Sequence, residues 1–214
     1  MNNELIQRII TSIFLFISII FCILINKFFF IVTMSILLLL VAAREWFYIN
    51  KKNMKIFVIG FIYLCFVLFT LLNLRGNSIH EAIFLILILS ICAGSDIGGY
   101  VFGKTFGGRK LIKISPNKTV SGSLGSFIFS ILPIFIFNFQ SFIIFNFTFK
   151  NILFCLLVSL ICQIGDLIIS YFKRANKIKN TGSLLPGHGG ILDRIDGMIF
   201  AIPFVYFLKL IQLF

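Results

Sequence analysis

The residues best suited to chemistry lie in one short polar segment, 170–196, which separates two strongly apolar runs. Asp193 and Asp196 lie within it, and Asp166 lies just upstream; together they are three of the chain's four aspartates. Carboxylates are costly next to the hydrocarbon of a bilayer, so acids that are retained there indicate a functional site.

Upstream of this segment, polar residues recur at helical spacing. At 100° per residue, Gln163, Asp166, Ser170 and Lys173 fall within an arc of about 80° on one helix face. We expect this stripe to face the protein interior or a wet cavity. The alternative for Gln163 and Ser170 is a polar contact between helices.

The three aspartates could together hold a metal ion. Asp193 and Asp196 are three residues apart and share a face if residue 192 onward is helical. With Asp166 they would form an all-oxygen pocket of the kind that Mg²⁺ prefers, and a second cation is a further hypothesis. Capping of a helix N-terminus is the alternative for Asp193 and Asp196.

The same segment is suited to phosphate groups. Gly189 and Gly190 allow the backbone to approach a phosphate closely. His188 is placed to bond a phosphate oxygen or to move a proton, and the pair Lys173 and Arg174 suits a polyanion.

A second glycine-rich and basic loop follows Asp96. Gly98, Gly103, Lys104 and Thr105 satisfy the spacing of a phosphate-binding P-loop. That motif requires a strand before it and a helix after it, whereas an apolar run precedes it here, so we reject the P-loop. What remains is a loop able to contact phosphates, with close helix packing as the alternative reason for its glycines.

Composition places the whole chain in a membrane. Its 214 residues are 59% hydrophobic, with a mean hydropathy of +1.08. We predict one integral domain over 1–214, with N-terminal spans in 1–80 and a catalytic portion in 82–214 that contains loops 101–121 and 173–195. The five cysteines all lie in apolar runs, which favours buried filler over disulfides or metal ligands.

The predicted fold is an all-α, polytopic integral membrane protein of about seven transmembrane helices. Their expected ranges are 9–26, 28–43, 56–74, 82–100, 122–142, 152–172 and 197–213. Pro133 leaves open whether 127–149 is one long span or a span with a re-entrant piece.

The distribution of charge predicts the orientation. An N-in, C-out arrangement puts 15 of the 19 Lys and Arg residues on the cytoplasmic side, together with both polar loops. The net charge of +12 is thereby explained without nucleic acid, which we do not expect as a partner. We expect Trp46, next to Glu45, to anchor at an interface, and Arg75, His80 and Glu81 to be solvated.

Segment 170–196 resembles the signature of the phosphatidate cytidylyltransferase (CDP-diacylglycerol synthase) family, which runs S-x-x-K-R, then K-D, then a small residue, then P-x-H-G-G-x-x-D-R-x-D. The matching residues are Ser170, Lys173, Arg174, Lys179, Gly182, Pro186, His188, Gly189, Gly190, Asp193, Arg194 and Asp196. Family-like residues upstream are Asp166, Asp96, Gly98, Tyr100, Ser115, Pro116, Lys118, Thr119 and Gly122. Asn180, Ser121 and Ile169 depart from the pattern, where the family usually has acidic residues.

The resemblance implies that the protein transfers CMP from CTP to phosphatidic acid, giving CDP-diacylglycerol and pyrophosphate in a Mg²⁺-dependent reaction. The implied catalytic residues are Asp166, Lys173, Arg174, His188, Asp193, Arg194 and Asp196, and the three aspartates would hold the metal. The implied substrate-binding residues are Asp96, Tyr100, Ser115, Pro116, Lys118, Thr119, Gly122, Ser170, Lys179, Gly189 and Gly190. It further implies a bacterial inner membrane, with membrane lipid around the protein and the site facing the cytoplasm, and it leaves room for a homodimer.

Two other classes stay open at this point. A CTP-dependent lipid kinase of the polyprenol or phytol type would use related chemistry on an alcohol. A transporter or channel would instead be expected to carry charges near mid-membrane and repeated broken helices.

Overall fold

The computed structural model describes residues 16–51, 53–112, 115–139, 147–178, 180–182 and 189–213. The elements, in chain order, are α1 (Phe16–Ile25), α2 (Lys27–Ser35), a π-helical segment (Ile36–Ala42), α3 (Ala43–Ile49), α4 (Met54–Arg75), α5 (Ile79–Phe106), β1 (Lys110–Ile112), β2 (Ser115–Thr119), α6 (Val120–Phe139), α7 (Phe149–Ala175), α8 (Leu192–Ile195) and α9 (Met198–Leu210).

Five helical stretches in the described part of the chain are long and apolar enough to cross a membrane: Lys27–Ile49, Met54–Arg75, Ile79–Phe106, Val120–Asn138 and Phe149–Ala175. They coincide with five of the predicted spans, and α1 and α9 are shorter apolar helices where the first and last spans were expected. The prediction of a helical, polytopic membrane protein is therefore confirmed. Pro133 lies inside α6 and does not end it.

Short polar sequences explain where several helices begin. Asn26 caps α2 by accepting a hydrogen bond from the Phe28 N–H at 3.0 Å, and Asn53 caps α4 by accepting one from the Ile56 N–H. Before α5, Ser78 Oγ accepts from the Glu81 N–H, and Glu81 Oε2 accepts from the Ser78 N–H, each at 3.2 Å. This reciprocal pair is a capping box.

The chain divides into two compact units. The first comprises Met1–Ala82 and Phe172–Ile195, and the second comprises Ile83–Tyr171 and Asp196–Phe214. The first unit therefore contains part of the polar segment together with the N-terminal helices. The single domain over 1–214, with N-terminal spans in 1–80 and a catalytic portion in 82–214, stays a prediction.

Two side chains of the first unit were wrongly expected at an interface or in solvent. Trp46 is only 6% exposed; it donates to the Ile56 carbonyl and packs edge-on against Phe172, with ring centroids 5.0 Å apart. Arg75 is also 6% exposed, and its Nε donates to the Ile23 carbonyl at 2.7 Å. The guanidinium satisfies a backbone acceptor at the end of α1, where a terminal carbonyl lacks an intrahelical partner.

In the second unit, α5 and α6 approach closely through glycines. A Cβ atom on Gly98 would overlap the carbonyl oxygen of Gly125, and one on Gly94 would lie 2.7 Å from the carbonyl oxygen of Phe129. Because the P-loop-like residues 98–105 lie inside α5, the rejection of that motif is confirmed. Helix packing, the alternative that the sequence left open, is the role that the structure gives Gly98.

A small antiparallel hairpin follows α5, where the sequence predicted only a loop. It pairs Lys110 with Thr119 and Ile112 with Ser115. β1 has only three residues, too few for an alternating pattern to be read, and β2 is polar and contains Pro116, which argues against a strand in sequence.

Candidate functional site

Asp193 is the centre of a cluster of hydrogen bonds in the first unit. Its Oδ1 pairs with Lys173 Nζ at 2.8 Å. Its Oδ2 accepts from the Thr181 N–H at 2.8 Å, the Thr181 hydroxyl at 3.1 Å and the Gly190 N–H at 3.1 Å. The side chains of Lys173 and Asp193 are 11% and 9% exposed, so the pair is largely buried.

These contacts stabilise the ionised form of Asp193. Burial alone would raise the pKa of this carboxyl, but the hydrogen bond from Lys173, the backbone bonds from Thr181 and Gly190, and the charge of Lys173 together lower the pKa below its ordinary value. Asp193 is therefore held as a carboxylate.

Glu45 is the residue that sequence reasoning missed. It lies on α3, is 6% exposed, and accepts hydrogen bonds from three groups of the polar segment, at Thr181, Ile191 and Leu192. The sequence placed this acid at an interface because of its neighbour Trp46. The signal that could have found it is the one that identified Asp166, namely an acid inside an otherwise apolar run.

Asp166 is the centre of the corresponding cluster in the second unit. Its Oδ2 forms an ion pair with Lys118 Nζ, and its Oδ1 accepts from the Ser170 hydroxyl at 3.3 Å. Both charged side chains are about one quarter exposed, at 26% for Lys118 and 28% for Asp166. The structure thus brings together three residues, from β2 and α7, that the sequence had proposed for phosphate or metal binding.

Gln163 lies one turn earlier on α7 and connects that helix to α6. Its Oε1 accepts from the Ser123 hydroxyl at 2.6 Å, and its Nε2 donates to Ser159 at 3.3 Å. The alternative of a polar contact between helices therefore holds for Gln163. Ser170 instead bonds Asp166 on its own helix.

The hairpin residues of the predicted site have structural partners. The Thr119 hydroxyl accepts from the Gly122 N–H at 3.0 Å and so caps α6. It also shares a hydrogen bond with Ser121, whose hydroxyl donates to the Gly107 carbonyl. Ser121, one of the departures from the family pattern, therefore ties the hairpin to the end of α5.

The remaining predicted residues are placed as follows. Arg174 and Arg194 are exposed, and Arg174 donates to the Ile178 carbonyl at 3.4 Å. Asp196 Oδ1 accepts from the Gly197 N–H at 2.9 Å. Asp96 and Tyr100 are exposed on α5, with Lys104 Nζ 3.4 Å from the Tyr100 hydroxyl, and Ser115 and Pro116 lie in β2. His188, Lys179 and Pro186 lie outside the described residues.

Gly189 and Gly190 are each required to be glycine for a different reason. Gly189 has a φ of +85°, a conformation that other residues rarely adopt. A Cβ atom on Gly190 would overlap the Thr181 hydroxyl and the Glu45 carboxylate. Gly190 therefore permits the approach of a protein carboxylate, and its predicted contact with a phosphate is untested.

The predicted metal site takes residues from both units, with Asp193 in the first and Asp166 and Asp196 in the second. Among the residues that the structure describes, no group of three or more His, Cys, Asp or Glu side chains is arranged to hold a metal ion. The carboxylate oxygens have the hard-donor chemistry that suits Mg²⁺. Asp166 and Asp193 each have an ammonium group as their present partner, so the magnesium site stays a prediction.

These features define a class of protein: a polytopic helical membrane protein in which two aspartates, Asp166 and Asp193, are each paired with a lysine. The chain belongs to the cytidylyltransferase family, whose model matches residues 50–212. It is 36% identical to a phosphatidate cytidylyltransferase of Rickettsia bellii over 217 residues, which cover 97% of this chain and 92% of that relative.

Two further relatives carry the same name. The Bacillus subtilis protein is 34% identical over 81% of this chain and 65% of its own length. The Staphylococcus saprophyticus protein is 37% identical over 72% of this chain and 55% of its own length. The resemblance seen in the sequence is thereby confirmed.

Proposed function

We infer that this protein is an enzyme that transfers CMP from CTP to phosphatidic acid, forming CDP-diacylglycerol and pyrophosphate. The observation that carries this inference is the similarity to a phosphatidate cytidylyltransferase over 97% of the chain. The ion pairs of Asp166 and Asp193 support it, because both involve residues of the motifs in this sequence that resemble the family.

The reaction joins two anions, and this determines what the protein must supply. An oxygen of the lipid phosphate attacks the α-phosphorus of CTP, and the bond from that phosphorus to the pyrophosphate leaving group breaks. The lipid phosphate is already ionised, so the main barriers are repulsion between anions and charge on the transferring group. Lys118, Lys173, Arg174 and Arg194 are the cations that we assign to neutralise this charge.

Each of the two carboxylate–lysine pairs can be separated by a phosphate group of the substrate. A phosphate group that approaches Lys118 or Lys173 competes with the paired carboxylate for the ammonium group. A carboxylate released in this way would be available to a cation. Mg²⁺, held by Asp166, Asp193 and Asp196, would supply further neutralisation of the phosphates when bound.

The finer topology is part of the same proposal. Seven spans in an N-in, C-out orientation would place the hairpin and the polar segment at the cytoplasmic face, where CTP is available. The relatives are bacterial, which supports the inner membrane as the location. Association into a homodimer is a further expectation of the family.

The test is a direct assay of the purified protein in mixed micelles that contain phosphatidic acid. With CTP labelled at the α-phosphate, we expect label in the lipid product, equimolar pyrophosphate, and loss of product when EDTA removes divalent cations. A parallel assay uses CTP labelled at the γ-phosphate and a polyprenol or phytol as acceptor. Label that enters lipid only in this second assay would identify a lipid kinase and refute the proposal.

A further inference from the structure

Glu45 is a buried acid that the proposed chemistry does not use. Its Oε1 accepts from the Ile191 N–H at 2.9 Å, and its Oε2 accepts from the Leu192 N–H at 2.8 Å and from the Thr181 hydroxyl at 2.7 Å. All three donors are neutral and belong to the polar segment, about 140 residues further along the chain. Hydrogen bonds to an ionised acceptor are roughly twice as strong as neutral ones.

The two N–H donors lie where α8 begins. The first N–H groups of any helix lack intrahelical acceptors, and a side chain from elsewhere can supply them. Glu45 does so for Ile191 and Leu192, the residues directly before Asp193. It thereby fixes the direction in which this short helix starts.

Thr181 connects the two carboxylates. Its hydroxyl lies 2.7 Å from Glu45 Oε2 and 3.1 Å from Asp193 Oδ2, while its backbone N–H donates to Asp193 Oδ2 at 2.8 Å. A hydroxyl has one hydrogen to donate, so it can serve only one of the two carboxylates at a time. The backbone bond keeps Thr181 on Asp193 when the hydroxyl bonds Glu45.

Glycines bring the polar segment close to this carboxylate. A Cβ atom on Gly190 would overlap Glu45 Oε2, and one on Gly182 would lie 3.0 Å from Oε1. Both glycines belong to the family-like motif. Their lack of a side chain lets this motif approach the carboxylate of Glu45.

We propose that Glu45 is a positioning residue for the transfer reaction: through Thr181, Ile191 and Leu192 it holds Asp193 in its working place. The proposal rests on the proposed function. It assigns Glu45 no contact with substrate or metal, so its loss should reduce turnover more than CTP binding.

The decisive variant is Glu45→Gln, which keeps the size of the side chain but replaces one acceptor oxygen with an NH₂ donor. Loss of an outer-shell partner of this kind typically costs about 10- to 100-fold in activity. We expect kcat to fall by about that factor and the KM for CTP to change by less than about threefold, with partial recovery in Glu45→Asp, which restores two acceptor oxygens.

A matched control separates positioning from folding. Glu81→Gln is the same substitution in the same unit, at a carboxylate that also accepts backbone N–H groups at a helix start, from Asn77 and Ser78. We expect Glu81→Gln to keep kcat within about twofold of the unsubstituted protein, even where its unfolding temperature falls as far as that of Glu45→Gln. Equal losses of kcat in the two variants, in proportion to stability, would refute positioning, as would an unchanged kcat in Glu45→Gln.

Thr181 gives a second test if Glu45→Gln does not fold. Thr181→Val removes the hydroxyl and keeps the shape, and Thr181→Ser restores the hydroxyl. We expect kcat to fall in the first variant and to recover in the second. Thr70→Val is the matched control, since Thr70 is fully buried in the same unit and bonds only the Val67 carbonyl among the described contacts. Equal kcat in Thr181→Val and Thr181→Ser would overturn the proposal.

Amide hydrogen exchange distinguishes failure of this proposal from failure of the proposed function. Glu45→Gln should speed exchange at Ile191 and Leu192, whether or not the protein makes CDP-diacylglycerol. Unchanged exchange at those amides would refute the anchoring itself. A protein that shows faster exchange in the variant but never forms CDP-diacylglycerol would contradict the proposed function, and with it the catalytic part of this inference.

Discussion

At the scale of single residues, the buried ion pair of Lys173 and Asp193 is where we expect a substitution to cost much stability. Lys173→Met leaves the Asp193 carboxylate without its charged partner at a site where both side chains are about one tenth exposed. Breaking a buried pair in this way costs about 3–5 kcal/mol, while replacing both partners costs much less. We expect Lys173→Met to lower the unfolding temperature of the purified protein, and Lys173→Met with Asp193→Asn to recover part of the loss. A double variant less stable than either single variant would contradict this.

The acid dependence of stability provides a second prediction for the same carboxylate. Because the pKa of Asp193 is lowered in the folded protein, its contacts contribute their full stability at pH values above the unfolded pKa of about 3.9. This contribution is lost as the pH falls through the lower pKa of the folded state. We expect the stability difference between the unsubstituted protein and Asp193→Asn to be constant from about pH 7 to 5 and to shrink below about pH 4. A difference that already shrinks near pH 6 would contradict a lowered pKa.

At the scale of elements, the contact between α5 and α6 depends on a glycine. Gly98→Ala would push its methyl group into the Gly125 carbonyl oxygen, which is backbone and cannot move aside by itself. Overpacking of this kind costs about 1–3 kcal/mol. We expect a lower unfolding temperature for Gly98→Ala and a smaller change for Gly103→Ala, whose Cβ would lie 3.3 Å from the Thr119 hydroxyl. Equal shifts in the two variants would argue against this contact.

The elements also show what sequence reasoning could and could not supply. The α7 stripe was predictable, because helical spacing alone puts Asp166 and Ser170 on one face, and the structure bonds them to each other. The partner of Asp166 was not predictable, because Lys118 lies in β2 and no local pattern links residues so far apart in the chain. The partners of Glu45 were unpredictable for the same reason, since they follow it by about 140 residues, although the acid itself stands out within an apolar run.

At the scale of the whole molecule, orientation in the membrane is the property to test. Three variants, each with one added cysteine, test it in a Cys65→Ser background, because Cys65 is the exposed native cysteine among those described. Lys51→Cys and Arg109→Cys lie on the side predicted to be cytoplasmic, and Asn77→Cys lies on the opposite side. In intact cells, a membrane-impermeant thiol reagent should label only Asn77→Cys. Labelling of Arg109→Cys without permeabilisation would reverse the proposed topology.

The leucine run before α3 forms a π-helical segment, Ile36–Ala42, and its winding affects where the side chains of α3 point. A π turn uses one residue more than an α turn, so it delays the rotation of everything that follows. Winding Ile36–Ala42 as an α-helix at its present length would turn Glu45 by about 100° around the helix axis, whereas excising Leu39 at the same time would leave the direction of Glu45 nearly unchanged. The wider turn therefore absorbs one extra apolar residue and leaves Glu45, six positions after Leu39, facing as an unbroken α-helix would place it.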